Sequence, residues 1–175
     1  MKRRYIVDTN VLVAASAAVL QPSRAMNATP QDPALRFKIW QWLSAFEASS
    51  SHLVLDMAGK IAQEYDNNLD FNDYGIQVVI QKWSTAAVDS VEVHYDQDGH
   101  GILQPPLDRV VHDLADRKMV AAALAALKLE GDSAIAFAGD TDWHDWEQAL
   151  TDAGLSLEPI IEEWSRAKHA EKVKK

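Results

Sequence analysis

Five short apolar runs, separated by longer helical stretches, constrain the fold of this 175-residue chain more than any other feature. Runs this short and rich in β-branched or aromatic residues are typical of buried strands. The predicted strands are Tyr5–Val7, His52–Leu55, Val91–His94, Ala134–Ala138 and one within Leu155–Ile161. Strands that are joined through helices run parallel. The sequence therefore predicts an α/β fold, a three-layer α/β/α sandwich with a mostly parallel central sheet.

The predicted helices follow from apolar residues that recur on one face every three or four positions. They run from the capping residues 8–10 to Leu20, over Ala34–Ala48, after Asp56, and over Phe71–Ala87, Leu107–Ala115, Asp116–Lys128 and Asp142–Ala153. Two loop insertions, near 21–33 and 96–106, are longer than a compact domain needs, and residues 165–175 form a basic tail. No linker divides the chain, so we expect a single domain over residues 1–175.

The chain contains no cysteine, which excludes a disulfide framework, a zinc–thiolate site and a cysteine nucleophile. A basic run precedes the first apolar segment, but Asp8 and Asn10 interrupt that segment. The apolar part after Asn10 is too short to cross a bilayer, and this order of residues is unusual for a signal peptide. We therefore expect a cytoplasmic protein with no membrane contact.

The net charge of −9 first argues against a nucleic-acid partner, because such proteins are usually basic. The charge is unevenly distributed, however. Residues 2–4 carry +3 and residues 165–175 carry +4, which leaves about −16 on the body of the chain between them. A surplus of this size must be solvated, screened or neutralised by bound cations.

Acidic residues follow two of the predicted strands. Asp8 comes directly after the first strand, and Asp140 and Asp142 follow Ala134–Ala138 in the sequence AGDTDW. Ligands bind to open parallel sheets outside the carboxyl ends of the strands. We therefore expect both acidic groups at the same edge of the sheet.

Two further acids lie on predicted helices. Asp116 opens an Ala-rich helix, and Glu64 lies within two turns of the inward-facing Ile61 and next to Tyr65. A glutamate beside an inward face needs a partner, because a buried, unpaired carboxylate costs several kcal/mol.

Each acid also has an ordinary structural explanation. Asp8 and Asp116 could cap helices, Glu64 could be a solvated helix residue, and Asp140 and Asp142 could form a turn and a cap. Their joint placement favours a different interpretation, because converging carboxylates repel one another and raise one another's pKa. A hard divalent cation removes that repulsion, and ligation by oxygen alone favours Mg²⁺ or Mn²⁺.

The order of these acidic motifs resembles that of the PIN-domain family. The motifs are YIVDTNVLV with Asp8, the pair Glu64-Tyr65, ADRKMVAAAL with Asp116, and AGDTDW with Asp140 and Asp142. The match spans Tyr5 to about Ile161. The resemblance implies a PIN-like α/β/α nuclease, similar to VapC-type toxin ribonucleases, that uses Mg²⁺ or Mn²⁺ to cut single-stranded or structured RNA.

Carried over position by position, the resemblance implies that Asp8, Glu64 and Asp116 are catalytic metal ligands. It makes Asp140 the favoured fourth ligand, with Asp142 as its rival. Thr9 and Asn10 match the polar pair after the first aspartate, and the resemblance implies that they orient it or contact phosphate. The expected partners are an RNA substrate, an antitoxin protein if the chain is a toxin, and a second copy in a homodimer.

Two alternatives remain at this point. The first is a binding module in an RNA-processing or toxin–antitoxin assembly that keeps the fold without catalysis. The second is a metal-dependent phosphatase for a small phosphomonoester. A nucleophilic-aspartate phosphatase would need an aspartate two residues after Asp8, where Asn10 stands. A deep closed pocket would favour a phosphatase, and an open groove would favour nucleic acid.

Other residue types carry less information. The six histidines are scattered and form no zinc motif, and no Walker loop or G-x-S-x-G turn follows a strand. We expect most of the six tryptophans to pack in the core or at an interface, with Trp143 worth attention because it follows the acidic pair. Candidate phosphate contacts are Lys2, Arg3, Arg4, Lys60, Arg117 and Lys118.

Overall fold

The computed structural model describes residues 1–19 and 26–174. The strands in this part of the chain are β1 (Arg4–Val7), β2 (His52–Asp56), β3 (Val88–Val91), β4 (Ser133–Phe137) and β5 (Leu157–Pro159). The helices are α1 (Thr9–Ala17), α2 (Pro33–Ala48), α3 (Lys60–Asn68), α4 (Tyr74–Ser84), α5 (Leu107–Val110), α6 (Arg117–Ala126), α7 (Asp142–Asp152) and α8 (Glu162–Val173).

The five strands form one sheet in the order β3-β2-β1-β4-β5, and every neighbouring pair is parallel. From β1 the chain first extends the sheet through β2 to β3, and it then returns to the other side of β1 to add β4 and β5. The direction of winding therefore reverses between β1 and β4. In sheets of this kind a crevice opens at that point, outside the carboxyl ends of the two strands.

Helices cover both faces of the sheet. Helices α1, α2 and α4 pack on one another to form one layer, whereas α6 packs across β1 to β4. Right-handed crossovers on a sheet that grows in both directions from β1 place these two groups on opposite faces. The α/β/α sandwich predicted from the sequence is thus confirmed, with an entirely parallel sheet in the described part of the chain.

The central strand β1 lies in the middle of the hydrophobic core because helices cover both of its faces. Tyr5, Ile6 and Val7 are fully buried. The Tyr5 ring lies edge-on to Trp42 and Phe46 of α2, with ring centroids 5.1 and 5.6 Å apart. Edge-to-face pairs at this separation are favourable for aromatic rings, so the α2 layer is fixed directly on β1.

Several element boundaries differ from the sequence prediction. The third strand is Val88–Val91 rather than Val91–His94. The alternation of Val91 and Val93 predicted a strand there, but His94 instead accepts a hydrogen bond from the Ile102 amide in a separate local turn. The strand that pairs with β2 begins earlier and includes the polar Asp89 and Ser90, which the apolar pattern could not identify.

The helix predicted over Leu107–Ala115 is also too long, because α5 ends at Val110. The Arg117 side chain ends it by donating hydrogen bonds to the carbonyls of Val111 and Asp108, groups that a longer helix would use internally. Likewise, α4 covers Tyr74–Ser84 and not all of Phe71–Ala87. Of the predicted loop at 21–33, residues 21–25 lie outside the described ranges, as does the predicted helix end at Leu20.

In the described part of the chain, the search for a helix long and apolar enough to cross a membrane finds none.

The crossing of α1 and α4 depends on a glycine and generates the first prediction. A Cβ added to Gly75 would lie 2.6 Å from the carbonyl oxygen of Leu12, and the Gly75 amide donates to the Ser16 hydroxyl at 2.8 Å. Gly75→Ala should therefore lower the free energy of unfolding by about 1–3 kcal/mol, because the two helix backbones must separate. Urea denaturation measures this change.

The matched control is Gln81→Ala, which alters an exposed side chain on the same helix. It should change stability by less than about 0.5 kcal/mol. A Gly75→Ala variant as stable as the parent would contradict the close helix crossing.

Candidate metal centre

The crevice between β1 and β4 places two acids side by side. Asp8 directly follows β1, and its amide donates to the carbonyl of Ala136 in β4 at 2.9 Å. Asp140 follows β4 after a two-residue turn. Both acids therefore lie at the carboxyl edge of the sheet, as the strand order predicts.

Asp8 is buried, with 3% of its surface exposed, and the protein holds both of its carboxylate oxygens. Oδ1 accepts a hydrogen bond from the backbone N–H of Asn10 at 3.0 Å, and this bond also caps α1. Oδ2 accepts a hydrogen bond from the indole N–H of Trp143 at 3.1 Å. The pKa of Asp8 is raised to about 7, chiefly by burial and also by the charges of Asp140 and Glu64. The two hydrogen bonds oppose this shift.

Asp116 lies at the N-cap position of α6, but its side chain makes no capping hydrogen bond. Burial, together with repulsion from Asp8 and Asp140, raises the pKa of Asp116 to about 9. The pKa of Asp140 is also raised, again by burial first. Because the charge of Asp140 acts on Asp8, and the charges of both act on Asp116, the three carboxyls share one electrostatic environment at the crevice.

Glu64 reaches the same edge from α3. The next residue, Tyr65, is fully buried, and its hydroxyl donates to the carbonyl of Val7 at 2.5 Å, which fixes α3 against the end of β1. One carboxylate oxygen of Glu64 accepts the hydroxyl of Thr9, and the other forms an ion pair with Lys118. Thr9 therefore orients Glu64 and not Asp8, and the Asn10 backbone orients Asp8.

Asp142 is the first residue of α7 and faces the C-terminal helix. Its carboxylate forms an ion pair with Lys172 of α8 and lies 3.6 Å from Nε2 of His112. The Asp142 amide donates to the carboxylate of Asp140 at 2.8 Å. Of the two rivals for the fourth position, Asp140 therefore lies among the central acids, and Asp142 is neutralised by a lysine.

The five acids thus divide into two kinds. Lysines pair with the flanking residues Glu64 and Asp142. In residues 1–19 and 26–174, no lysine or arginine forms an ion pair with Asp8, Asp116 or Asp140. We call these three residues the central aspartates. Asp8 is buried and the other two are partly buried. Carboxylates removed from water in this way are favoured when they hold a proton or bind a cation.

A second group that could hold a metal ion lies on the 96–106 insertion. One ligand atom each from Asp96, Asp98 and His100 lies within 4.8 Å of the others, and both aspartates are exposed. In the described ranges this is the one set of three such residues that approach so closely. This group was not predicted, because His100 belongs to no metal-binding motif.

The insertion lies beside the central aspartates. A Cβ on Gly101 would meet the backbone of Arg117 and Lys118 at 2.8 Å, directly after Asp116. Gly99 in turn lies next to the ammonium of Lys60. The insertion therefore contacts the start of α6 and of α3, and it borders the crevice.

The basic candidates separate by position. Arg4 is buried at the opposite edge of the sheet, where it pairs with Asp89 at 2.5 Å, and Lys2 pairs with Asp132 at 3.3 Å. These N-terminal residues are therefore remote from the carboxyl edge. Lys60 and Lys118, on α3 and α6, remain as basic residues at the edge with the acids.

Trp143 and Trp146 are buried in the core, as expected for most tryptophans, whereas Trp83 is 53% exposed. The hydrogen bond from Trp143 to Asp8 was not predicted. The only signal for it was that Trp143 follows the acidic pair. The partners of Glu64 were also missed, because Thr9 and Lys118 are far from Glu64 in the sequence.

Comparison with known proteins adds no match: no family model, curated protein or solved structure is significantly similar to this chain.

The raised pKa values generate a stability prediction for metal-free protein in a chelating buffer. A carboxyl whose pKa is higher in the folded state favours folding when it is protonated, so this contribution is lost as pH rises. The free energy of unfolding should therefore fall from about pH 4 towards pH 9, through the pKa values of about 7 for Asp8 and about 9 for Asp116.

Asp116→Asn removes one of these titrations. The variant should be more stable than the parent at pH 8, by on the order of a few kcal/mol, and the advantage should shrink towards pH 4. Urea denaturation at both pH values measures it. Asp66→Asn, which removes the same charge from an exposed position on α3, is the control. If Asp116→Asn gains no stability at pH 8, the carboxyl is not held in an unfavourable ionised state.

Proposed function

We propose that the protein is a metal-dependent endoribonuclease of the PIN-like kind, with its active site at the central aspartates. One observation carries the proposal: Asp8, Asp116 and Asp140 are gathered at the topological crevice of a parallel sheet, where ligands bind in this class of fold. Burial is the largest cause that raises all three pKa values, and nearby carboxylates add to it in each case. This arrangement is unfavourable for a purely structural site, and it suits the binding of a cation.

The donor set fits a hard divalent ion. The available ligand atoms of the central aspartates are carboxylate oxygens, and Mg²⁺ and Mn²⁺ prefer oxygen. In the described residues, the three central aspartates do not have one ligand atom each within 4.8 Å of one another, as the Asp96 group does. An ion held by one or two of them would complete its shell with water and a substrate phosphate, as Mg²⁺ usually does. When bound, such an ion would supply an activated water and stabilise charge on a phosphodiester.

The chain's own residues have distinct roles in this proposal. Asp8, Asp116 and Asp140 would hold the ion, and Glu64 is a further ligand candidate. The indole of Trp143 and the amide of Asn10 fix the orientation of Asp8. These hydrogen bonds keep the carboxylate in place before an ion arrives, which lowers the cost of forming the site.

The proposed substrate is RNA rather than a small phosphomonoester. A cavity of about 710 Å³ lies beside β3 and α6, but its lining is mostly apolar and includes none of the five acids. A phosphatase is expected to enclose its acids in a deep, closed pocket, and this cavity does not enclose them. The basic residues Lys60 and Lys118 at the acidic edge could contact a phosphate backbone. A toxin role and an antitoxin partner remain part of the family resemblance only.

The test incubates purified protein with a mixture of single-stranded and structured RNA, with Mn²⁺, with Mg²⁺ and with a chelator. The parent should cut RNA only in the presence of metal. Asp8→Asn and Asp116→Asn should each reduce the rate by about 100-fold or more, because each removes a ligand of the ion. Gel electrophoresis of labelled RNA gives the rates.

The matched control is Asp98→Asn, which disrupts the exposed group on the insertion and leaves the central aspartates intact. It should cut RNA at nearly the parent rate. If Asp98→Asn alone abolishes cutting, the reaction belongs to the insertion. If no variant changes a metal-dependent activity, or RNA stays intact throughout, the proposed function is wrong.

A further inference from the structure

Lys118 is a largely buried lysine that lies beside the proposed metal ligands. It lies two residues after Asp116, in the first turn of α6, and 12% of its side chain is exposed. Its ammonium forms an ion pair with Glu64 and also donates to the carbonyl of Ala115 at 2.6 Å. A lysine is thus held among the acids that would bind a metal.

Both carboxylate oxygens of Glu64 have a partner, because the second oxygen accepts the hydroxyl of Thr9. The carboxylate is 24% exposed, so water screens this ion pair less than it screens a pair on the open surface. Each oxygen keeps a further lone pair for an ion, so the obstacle to a cation at Glu64 is the charge of its partner. The hydroxyl of Thr9 is neutral and can stay, whereas the positive charge of Lys118 opposes a nearby cation.

We propose that Lys118 is an internal competitor for the metal: its ammonium neutralises Glu64 in the metal-free protein and must leave when a divalent cation binds there. The inference rests on the metal centre of the proposed function and adds a regulatory property to it. Lys118 lowers the affinity for metal and prevents Glu64 from adding a fourth unpaired carboxylate to the central aspartates.

The exchange has a consequence for the substrate. Lys118 would be released beside Asp116, at the edge where the proposed phosphodiester binds. An ammonium without its carboxylate partner is attracted to phosphate, so the lysine would change from a partner of Glu64 to a contact of the substrate. Metal binding and phosphate binding would then favour each other, because the cation displaces the ammonium from Glu64 and the phosphate attracts it away.

The test measures Mn²⁺ binding by titration calorimetry and does not depend on activity. All proteins carry Asp98→Asn, so that the group on the insertion does not contribute. In this background Lys118→Met should bind Mn²⁺ about three- to tenfold more tightly than the parent, the range expected for loss of a partly buried competing charge. Lys118→Gln serves as a second variant, and thermal denaturation confirms that each protein is folded.

Two controls isolate the competition. Lys168→Met removes the same charge from an exposed pair with Glu171 on α8, and it should change the affinity less than about twofold. Lys118→Met should also give no gain when Glu64→Gln is already present, because the competition requires the carboxylate. This double-mutant cycle separates a specific effect of the pair from a general effect of charge.

The outcomes are distinct. If Lys118→Met and Lys118→Gln bind Mn²⁺ as tightly as the parent or more weakly, while Asp8→Asn reduces binding, the metal centre stands and the competitor role is wrong. Weaker binding would mean that Lys118 only holds Glu64 in place for the ion. If the parent binds no Mn²⁺ at millimolar concentration, the proposed function and this inference both fall.

Discussion

The proposed site depends on the electrostatics of three aspartates at one crevice, of which Asp8 is buried and Asp116 and Asp140 are partly buried. Asp8 and Asp140 follow neighbouring strands, and Asp116 begins the helix that packs across those strands. Burial raises the pKa of each, and the charges of neighbouring carboxylates raise it as well. A fold that only needed stability would gain from apolar residues at these positions. The unfavourable free energy of placing these carboxylates together is consistent with a site that binds a cation.

The surrounding residues keep these acids in place against that repulsion. Trp143 and the Asn10 amide hold Asp8, and the hydroxyl of Tyr65 ties α3 to the end of β1. Among the five acids, the ion pairs that the described lysines form are with the flanking Glu64 and Asp142. In the proposed function, this leaves the carboxylates of the central aspartates for the ion.

The sequence was sufficient for the parts of the fold that depend on local pattern. Apolar runs separated by helical periodicity predicted a parallel sheet in three layers, and the positions of Asp8 and Asp140 after two strands predicted their shared edge. Local pattern failed at β3, where Asp89 and Ser90 pair at the edge of the sheet, and at α5, which the side chain of Arg117 ends. It could not predict the partners of Glu64, since Thr9 and Lys118 meet it only through the tertiary fold. The Asp96 group was missed because its geometry depends on a loop.

The most direct test of the central claim is a crystal structure of the protein grown with Mn²⁺, with an anomalous difference map to locate the ion. The account predicts an anomalous peak within ligand distance of carboxylate oxygens from the central aspartates. A peak found only at Asp96, Asp98 and His100, or central aspartates that bind no Mn²⁺ at millimolar concentration, would contradict it.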